Sequence, residues 1–178
     1  WARELQRELD ASFWNSGSGG YFTAAASEQG LIVRKIDRND GAIPSPNSVA
    51  YGNLLRLSQY FLEPELDDRA GELFLAHGNV PDRYPLGLPS LLLGLCLRSG
   101  GGPRLLVFAG AKRQELKLLL GKLRHKFQPD LLLAALDPET APKVPVLEGK
   151  SAPSPTAFLC EDGLCHPAKA AEQLIEEL

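Results

Sequence analysis

Asp40, Ser45 and Asn47 fall together in the run Asp40-Gly41-Ala42-Ile43-Pro44-Ser45-Pro46-Asn47-Ser48. A carboxylate, a hydroxyl and a carboxamide gathered at a helix start can hold a polyol or an anion, because unpaired amides and the positive end of the helix dipole meet there. The same groups can instead satisfy the orphan amides of the helix itself, and residue type does not separate the two readings. Acid–base chemistry on such a ligand needs a general acid and a base flanking it, and glycoside hydrolysis needs two carboxylates. Asp37, Asp40, Glu28 and His77 are the candidates. His77 lies on an apolar helix face, which points to a structural role, and no complete acid–base pair stands out.

Cys160 and Cys165 are a second chemical possibility. Glu161-Asp162-Gly163-Leu164 between them has the composition of a hairpin turn. Cysteines facing each other across such a turn would sit at a separation suited to a disulfide. Packed thiols, a redox-sensitive disulfide and a metal site with His166 all remain open. The spacing is not the Cys-x-x-Cys of a thioredoxin active site, and three ligands within seven residues are a weak zinc pattern. Cys96, inside a leucine-rich helix, reads as a core residue.

The elements that must position these groups follow from periodicity. Ala2, Leu5, Leu9 and Phe13 predict an opening amphipathic helix. The breakers from Asn15 to Gly20 end it, and short strands are expected at Tyr21–Thr23 and Leu31–Ile36. Asp40-Gly41 supplies a turn, Ser45 an N-cap and Pro46 a first helical residue, opening a helix to about Leu62. Pro64 starts the next helix and Gly78 stops it, and Pro89–Arg98, nearly all leucine, is expected to be buried on most sides. After Ser99-Gly100-Gly101-Gly102-Pro103 the period changes. Leu105–Ala109 and Leu131–Leu136 read as buried strands flanking an amphipathic helix from Gln114 to Phe127. That order predicts a right-handed crossover and a small parallel sheet. A Pro-rich connector from Pro138 to Pro155, a strand at Thr156–Cys160 and a helix from Ala168 to Leu178 complete the chain. Ala109-Gly110-Ala111-Lys112-Arg113 carries one glycine where a phosphate cradle needs several.

The chain has 178 residues, 44% hydrophobic and 23% charged, the proportions of an ordinary globular protein. A formal net charge of -3 offers no attraction to nucleic acid, and no apolar run reaches membrane-spanning length. No cofactor is expected. There is no methionine, and the first helical pattern starts without a capping residue, so a C-terminal piece of a longer protein is expected. Its compartment is left open.

Four ordered motifs carry a resemblance to a known family. Asp40 to Ser48 resembles the D-G-A-x-P-S-x-N-S signature of the spermatogenesis-associated protein 20 family. Phe13-Trp14-Asn15 with Gly19-Gly20-Tyr21-Phe22 is similar to its F-W-D…G-G-x-F hairpin, although Asn15 stands where the family has aspartate. Arg34-Lys35 and the ending Pro155-Thr156-Ala157-Phe158-Leu159-Cys160…Cys165 also fit. The resemblance implies the C-terminal part of a protein with a thioredoxin-like domain and an (α/α)6 toroid, six-hairpin glycosidase-like. On that expectation residues 1–99 are an incomplete helical-hairpin toroid segment, 100–103 a Gly/Pro boundary and 104–178 a small α/β subdomain. Its partners would be the thioredoxin-like domain and remaining toroid helices of the same protein. The implied function is sugar binding or carbohydrate metabolism, with a role in sperm development or fertility. Any enzyme activity would be epimerase-, isomerase- or glycosidase-like and incomplete here. Asp40, Ser45, Asn47, Trp14 and Tyr21 would then contact a sugar-like ligand. The alternative is a non-catalytic structural or redox partner module using Cys160 and Cys165.

Overall fold

The computed structural model describes residues 1–136, 144–161 and 163–178. Residues 138–143 of the expected connector and Asp162 of the expected hairpin turn lie outside the described residues. The chain forms two compact units, Trp1–Ser58 with Glu63–Ser99, and Gln59–Leu62 with Gly100–Leu178.

The first unit is helical. Helix α1 spans Ala2–Phe13, α2 Pro46–Phe61, α3 Pro64–Leu75, α4 Val80–Arg83 and α5 Pro89–Ser99. Leu9 and Phe13 of α1 pack against a core built from Tyr51, Leu54 and Leu55 of α2, Leu66 and Leu73 of α3, and Leu91 of α5. Arg3 at the start of α1 pairs with Glu63. Helix α2 begins as its sequence predicts. Pro46 takes the first helical position and the Ser45 hydroxyl accepts the Ser48 amide at 3.1 Å.

Two expectations for this unit are corrected. Tyr21–Thr23 and Leu31–Ile36 do not form strands. One isolated bridge joins Trp14 to Tyr21, and the Thr23 amide donates to the Lys35 carbonyl at 2.8 Å. Ile32 and Val33 stay exposed, so their branched side chains have no packed face of the kind that stabilises a strand. Helix α5 is not buried on most sides. It buries only Leu91 and Gly94, whereas Leu93 is 65% exposed and Cys96 is exposed, not a core residue. The cause is a narrow contact stripe centred on Gly94, where the helix meets the ring of Tyr51.

The second unit is a sheet carrying two helices. Strand β1 is Arg104–Ala109, β2 Leu131–Ala135, β3 Thr156–Glu161, β4 Leu164–Cys165 and β5 Lys169–Ala170. Helix α6, Arg113–Leu123, links β1 to β2, and α7 spans Ala171–Glu177. The strand order is β2-β1-β3-β4, with β5 also on β3. Strands β1 and β2 are parallel, but β3 runs antiparallel to β1, Val107 opposite Phe158. The sheet is therefore mixed, correcting the expected parallel one. Among the described residues between β2 and β3 there is no α-helix, and the crossover rule applies to parallel neighbours only, so it does not govern β3. Leu106 and Phe108 face α6 and α7, packing with Leu119, Leu174 and Ile175. Leu105 and Val107 face the other way, onto Val146, Leu147 and Cys160. The Tyr60 hydroxyl donates to the Leu133 carbonyl at 2.9 Å. Between β4 and β5 the register against β3 slips by one residue, a bulge at Pro167-Ala168. Proline has no amide to donate and suits such a break.

A Cβ at Gly94 would stand 2.6 Å from Tyr51 Cδ1. Gly94→Ala is therefore expected to destabilise the chain by about 1–3 kcal/mol through overpacking, despite the better helix propensity of alanine. Urea denaturation measures it, and an unchanged midpoint would mean that the two helices have room to separate.

Candidate functional site

The signature turn is built around Asp40. Its Oδ1 accepts the Ser45 amide at 2.8 Å and its Oδ2 accepts the Ser90 amide at 2.7 Å. One carboxylate thus holds the residue that caps α2 and the first turn of α5. Burial pushes this carboxyl up, but hydrogen bonds from Ser45, Ser48 and Ser90 outweigh it and hold it below its usual 3.8. Negative charge beside helix N-terminal amides is favourable in any case.

Asn47 works on the neighbouring loop. Its Oδ1 accepts the Tyr21 amide at 2.7 Å, and its Nδ2 donates to the carbonyls of Tyr21 at 3.0 Å and Asp37 at 2.7 Å. The carboxamide pairs with the Tyr21 peptide in both directions, as a neighbouring strand would. Gly20, at φ 82°, lets the backbone come this close, because a Cβ there would lie 3.2 Å from Asn47 Oδ1. Ser45 and Asn47 are both buried.

Tyr21 is 2% exposed. Its hydroxyl donates to Asp10 Oδ1 at 2.5 Å and accepts from Gln6 Nε2 at 3.0 Å. Burial first, and then Asp10, push this phenol far above its ordinary range. Trp14 meets the Tyr21 ring edge-on at 5.0 Å between centroids, and the Arg69 guanidinium lies 4.3 Å over the Trp14 ring. Beside Trp14 is an open hollow of about 350 Å3 lined by Asn15, Ser16, Ser18, Gly19 and Glu72 among others. Asn15 is a turn residue: its Oδ1 accepts the Gly17 amide at 3.0 Å and its Nδ2 donates to Ser18 Oγ at 2.8 Å.

The structure thus joins Asp40 to Ser45, Asn47 to Tyr21, and Tyr21 to Trp14. The hydrogen-bonding groups of the first four are engaged within the fold. Among the described residues, no two of Glu28, Asp37, Asp40 and His77 share a hydrogen bond. Asp37 sits 3.8 Å from Lys35 Nζ. His77 is buried, its Nδ1 lies 3.0 Å from the Leu73 carbonyl, and its Nε2 has no hydrogen-bond partner among the described residues. Burial lowers its pKa from 6.5.

In the sheet unit Cys160 and Cys165 form a disulfide with a Cα–Cα distance of 3.9 Å. His166 Nε2 lies 3.1 Å from Glu161 Oε2. Among the described residues no three His, Cys, Asp or Glu converge as a metal site. At the turn after β1, a Cβ on Gly110 would meet the Ser154 carbonyl oxygen at 2.3 Å, so this glycine serves close backbone packing. Lys112 and Arg113 there are exposed.

Sequence reasoning missed Gln6 and Asp10, four residues apart on α1, which hold the Tyr21 hydroxyl. The signal was polar residues beside the apolar stripe of an amphipathic helix. Arg34, singled out only as part of a motif, proves to be a brace: its guanidinium donates to the carbonyls of Ala24 and Ser12 and lies 4.0 Å over the Phe22 ring.

Asp40→Ala is expected to destabilise the helical unit by about 2 kcal/mol, because two amides lose a charged acceptor. Asp40→Asn, which keeps one acceptor, should lose less, and chemical denaturation at neutral pH ranks them. His77 adds a pH dependence. Its folded-state pKa is depressed, so its contribution is complete above 6.5 and is lost as the pH falls from 6.5 toward the folded value. His77→Gln should flatten that part of the stability curve, as thermal melts across the window would read.

No family model matches the chain. It is 31% identical over 172 residues to human "Spermatogenesis-associated protein 20", covering 93% of this chain and 22% of that protein. The mouse protein of the same name is 33% identical over 144 residues, covering 79% of this chain and 18% of that protein. An uncharacterized protein of Caenorhabditis elegans is 28% identical over 179 residues, covering 98% of this chain and 24% of that protein. The chain therefore spans about a fifth to a quarter of the length of these relatives. Over nearly its whole length, the chain is a homologue of the spermatogenesis-associated protein 20 family.

Proposed function

We propose that this chain is a structural module of a larger spermatogenesis-associated protein 20-like protein, in which the signature turn is scaffold and not a ligand contact. One observation carries the reading: the polar groups of Asp40, Ser45 and Asn47 already hold backbone groups or, for Ser45, the Ser48 hydroxyl. A polyol or anion arriving there would have to displace charged or buried hydrogen bonds, each costly to leave unmade. The module would supply helical hairpins to an α/α toroid and contribute an α/β unit. Its partners would be the remaining toroid helices and a thioredoxin-like domain of the same protein. Any role in sperm development would belong to that whole protein.

A sugar-like ligand is the second reading, and the hollow beside Trp14 favours it. Trp14, Asn15, Ser16, Ser18 and Glu72 give it an indole and several hydroxyl-binding groups. Against it, the Arg69 guanidinium already covers the Trp14 ring.

Tryptophan fluorescence titrated with a panel of monosaccharides and disaccharides tests the choice. The scaffold reading expects no saturable quenching. Trp1 is 87% exposed and could respond without specificity, so the Trp14→Phe variant is titrated in parallel. Saturable quenching that disappears in Trp14→Phe would overturn the scaffold reading in favour of sugar binding.

A further inference from the structure

We propose that Cys160–Cys165 is an exchange site for a dithiol reductant, and that the fold is built to survive the cleavage. This goes beyond the scaffold role, which needs no chemistry from either cysteine.

The His166 amide donates to the Leu159 carbonyl at 2.8 Å. Antiparallel pairs alternate, so Cys160 and Cys165, one step along, occupy a non-hydrogen-bonded pair. No backbone bond joins these two residues directly, and the disulfide alone ties them. It closes a loop of only five residues' separation, within a hairpin that backbone pairing already closes. The entropic gain from so short a loop is small compared with that of a long-range crosslink. As a staple the bond adds less than a long-range crosslink would.

The two sulfurs sit in unlike places. Cys160 is 4% exposed and packs with Leu105, Val107 and Val146, whereas Cys165 is exposed on a two-residue strand. An external thiolate therefore reaches Cys165 Sγ. Attack forms a mixed disulfide there, breaks the Cys160–Cys165 bond and expels Cys160 as a thiolate, which takes a proton from solvent. The attacker's second thiolate then displaces Cys165, which is protonated in turn. The reductant leaves as its own disulfide and the chain gains two hydrogens.

Both products suit the fold. A thiol behaves as a small hydrophobe, so Cys160 continues to fill its place in the core. What loosens is the edge segment from β4 through the bulge at Pro167, whose residues are exposed throughout. Reduction thus frees the outer edge of β3 near Cys160 while β1, β2 and the helices stay in place.

The test compares the air-oxidised 178-residue chain with the same chain treated with dithiothreitol without denaturant. Mass spectrometry with thiol alkylation reads the redox state of each cysteine, with Cys96 as the free-thiol control. We expect Cys160 and Cys165 to be reduced under native conditions and re-oxidised by oxidised dithiothreitol, with far-UV circular dichroism unchanged. Amide exchange at His166 should quicken by roughly thirtyfold, the loss expected for so short a loop, with β1 unaffected. Cys165→Ser should exchange like the reduced chain. The proposal is overturned if the pair is reduced only after denaturation, if reduction unfolds the sheet, or if exchange at His166 does not change.

Discussion

A single carboxylate organises the helical unit. Asp40 reaches from an irregular loop to the amide of the α2 cap on one side and to the first turn of α5 on the other. Helices leave their first amides without internal partners, and each buried orphan costs more than a satisfied bond returns. By meeting that need at two helices at once, Asp40 sets where both begin. The contact between Tyr51 and Gly94 depends on that placement, since a helix started a residue late would present a different side chain to the ring. Asn47 extends the same logic to the preceding loop, binding the Tyr21 peptide in place of a strand.

What was legible in the sequence was mostly local. The Ser45 cap with Pro46 behind it, the α3 start at Pro64 and the buried strand β1 follow from short-range rules, whereas β2 forms where expected but buries only Leu132. What failed was anything decided by distant partners. The exposure of Cys96 and Leu93 was hidden because an apolar helix looks the same in sequence whichever face its neighbours cover. The antiparallel course of β3 was hidden because strand direction follows the path of the connection, not residue type. Leu31–Ile36 carried β-branched residues but found no surface to pleat against.

The candidate site shows the same division. Residue types picked out polar groups that the fold pairs, Asp40 with Ser45 and Asn47 with Tyr21. They did not reveal that its capacity is spent inside the chain. That depends on Ser90, fifty residues away, and on Gln6 and Asp10 across the fold. A conspicuous polar motif is thus explained by architecture before any ligand is invoked, and functional labels drawn from such motifs need a count of unspent hydrogen bonds behind them.

The slip between β4 and β5 has a consequence for how the chain behaves in a crowd. A straight outermost strand is a template on which a second molecule can lay its own backbone, the first step toward fibrils. Here the outer ribbon is broken after two residues, resumes one residue out of step, and carries at the break a proline with no hydrogen to offer. Lys169 adds a positive charge where pairing resumes. An incoming strand would find neither a continuous row of donors nor a constant pleat, so this side of the sheet guards the protein's own solubility.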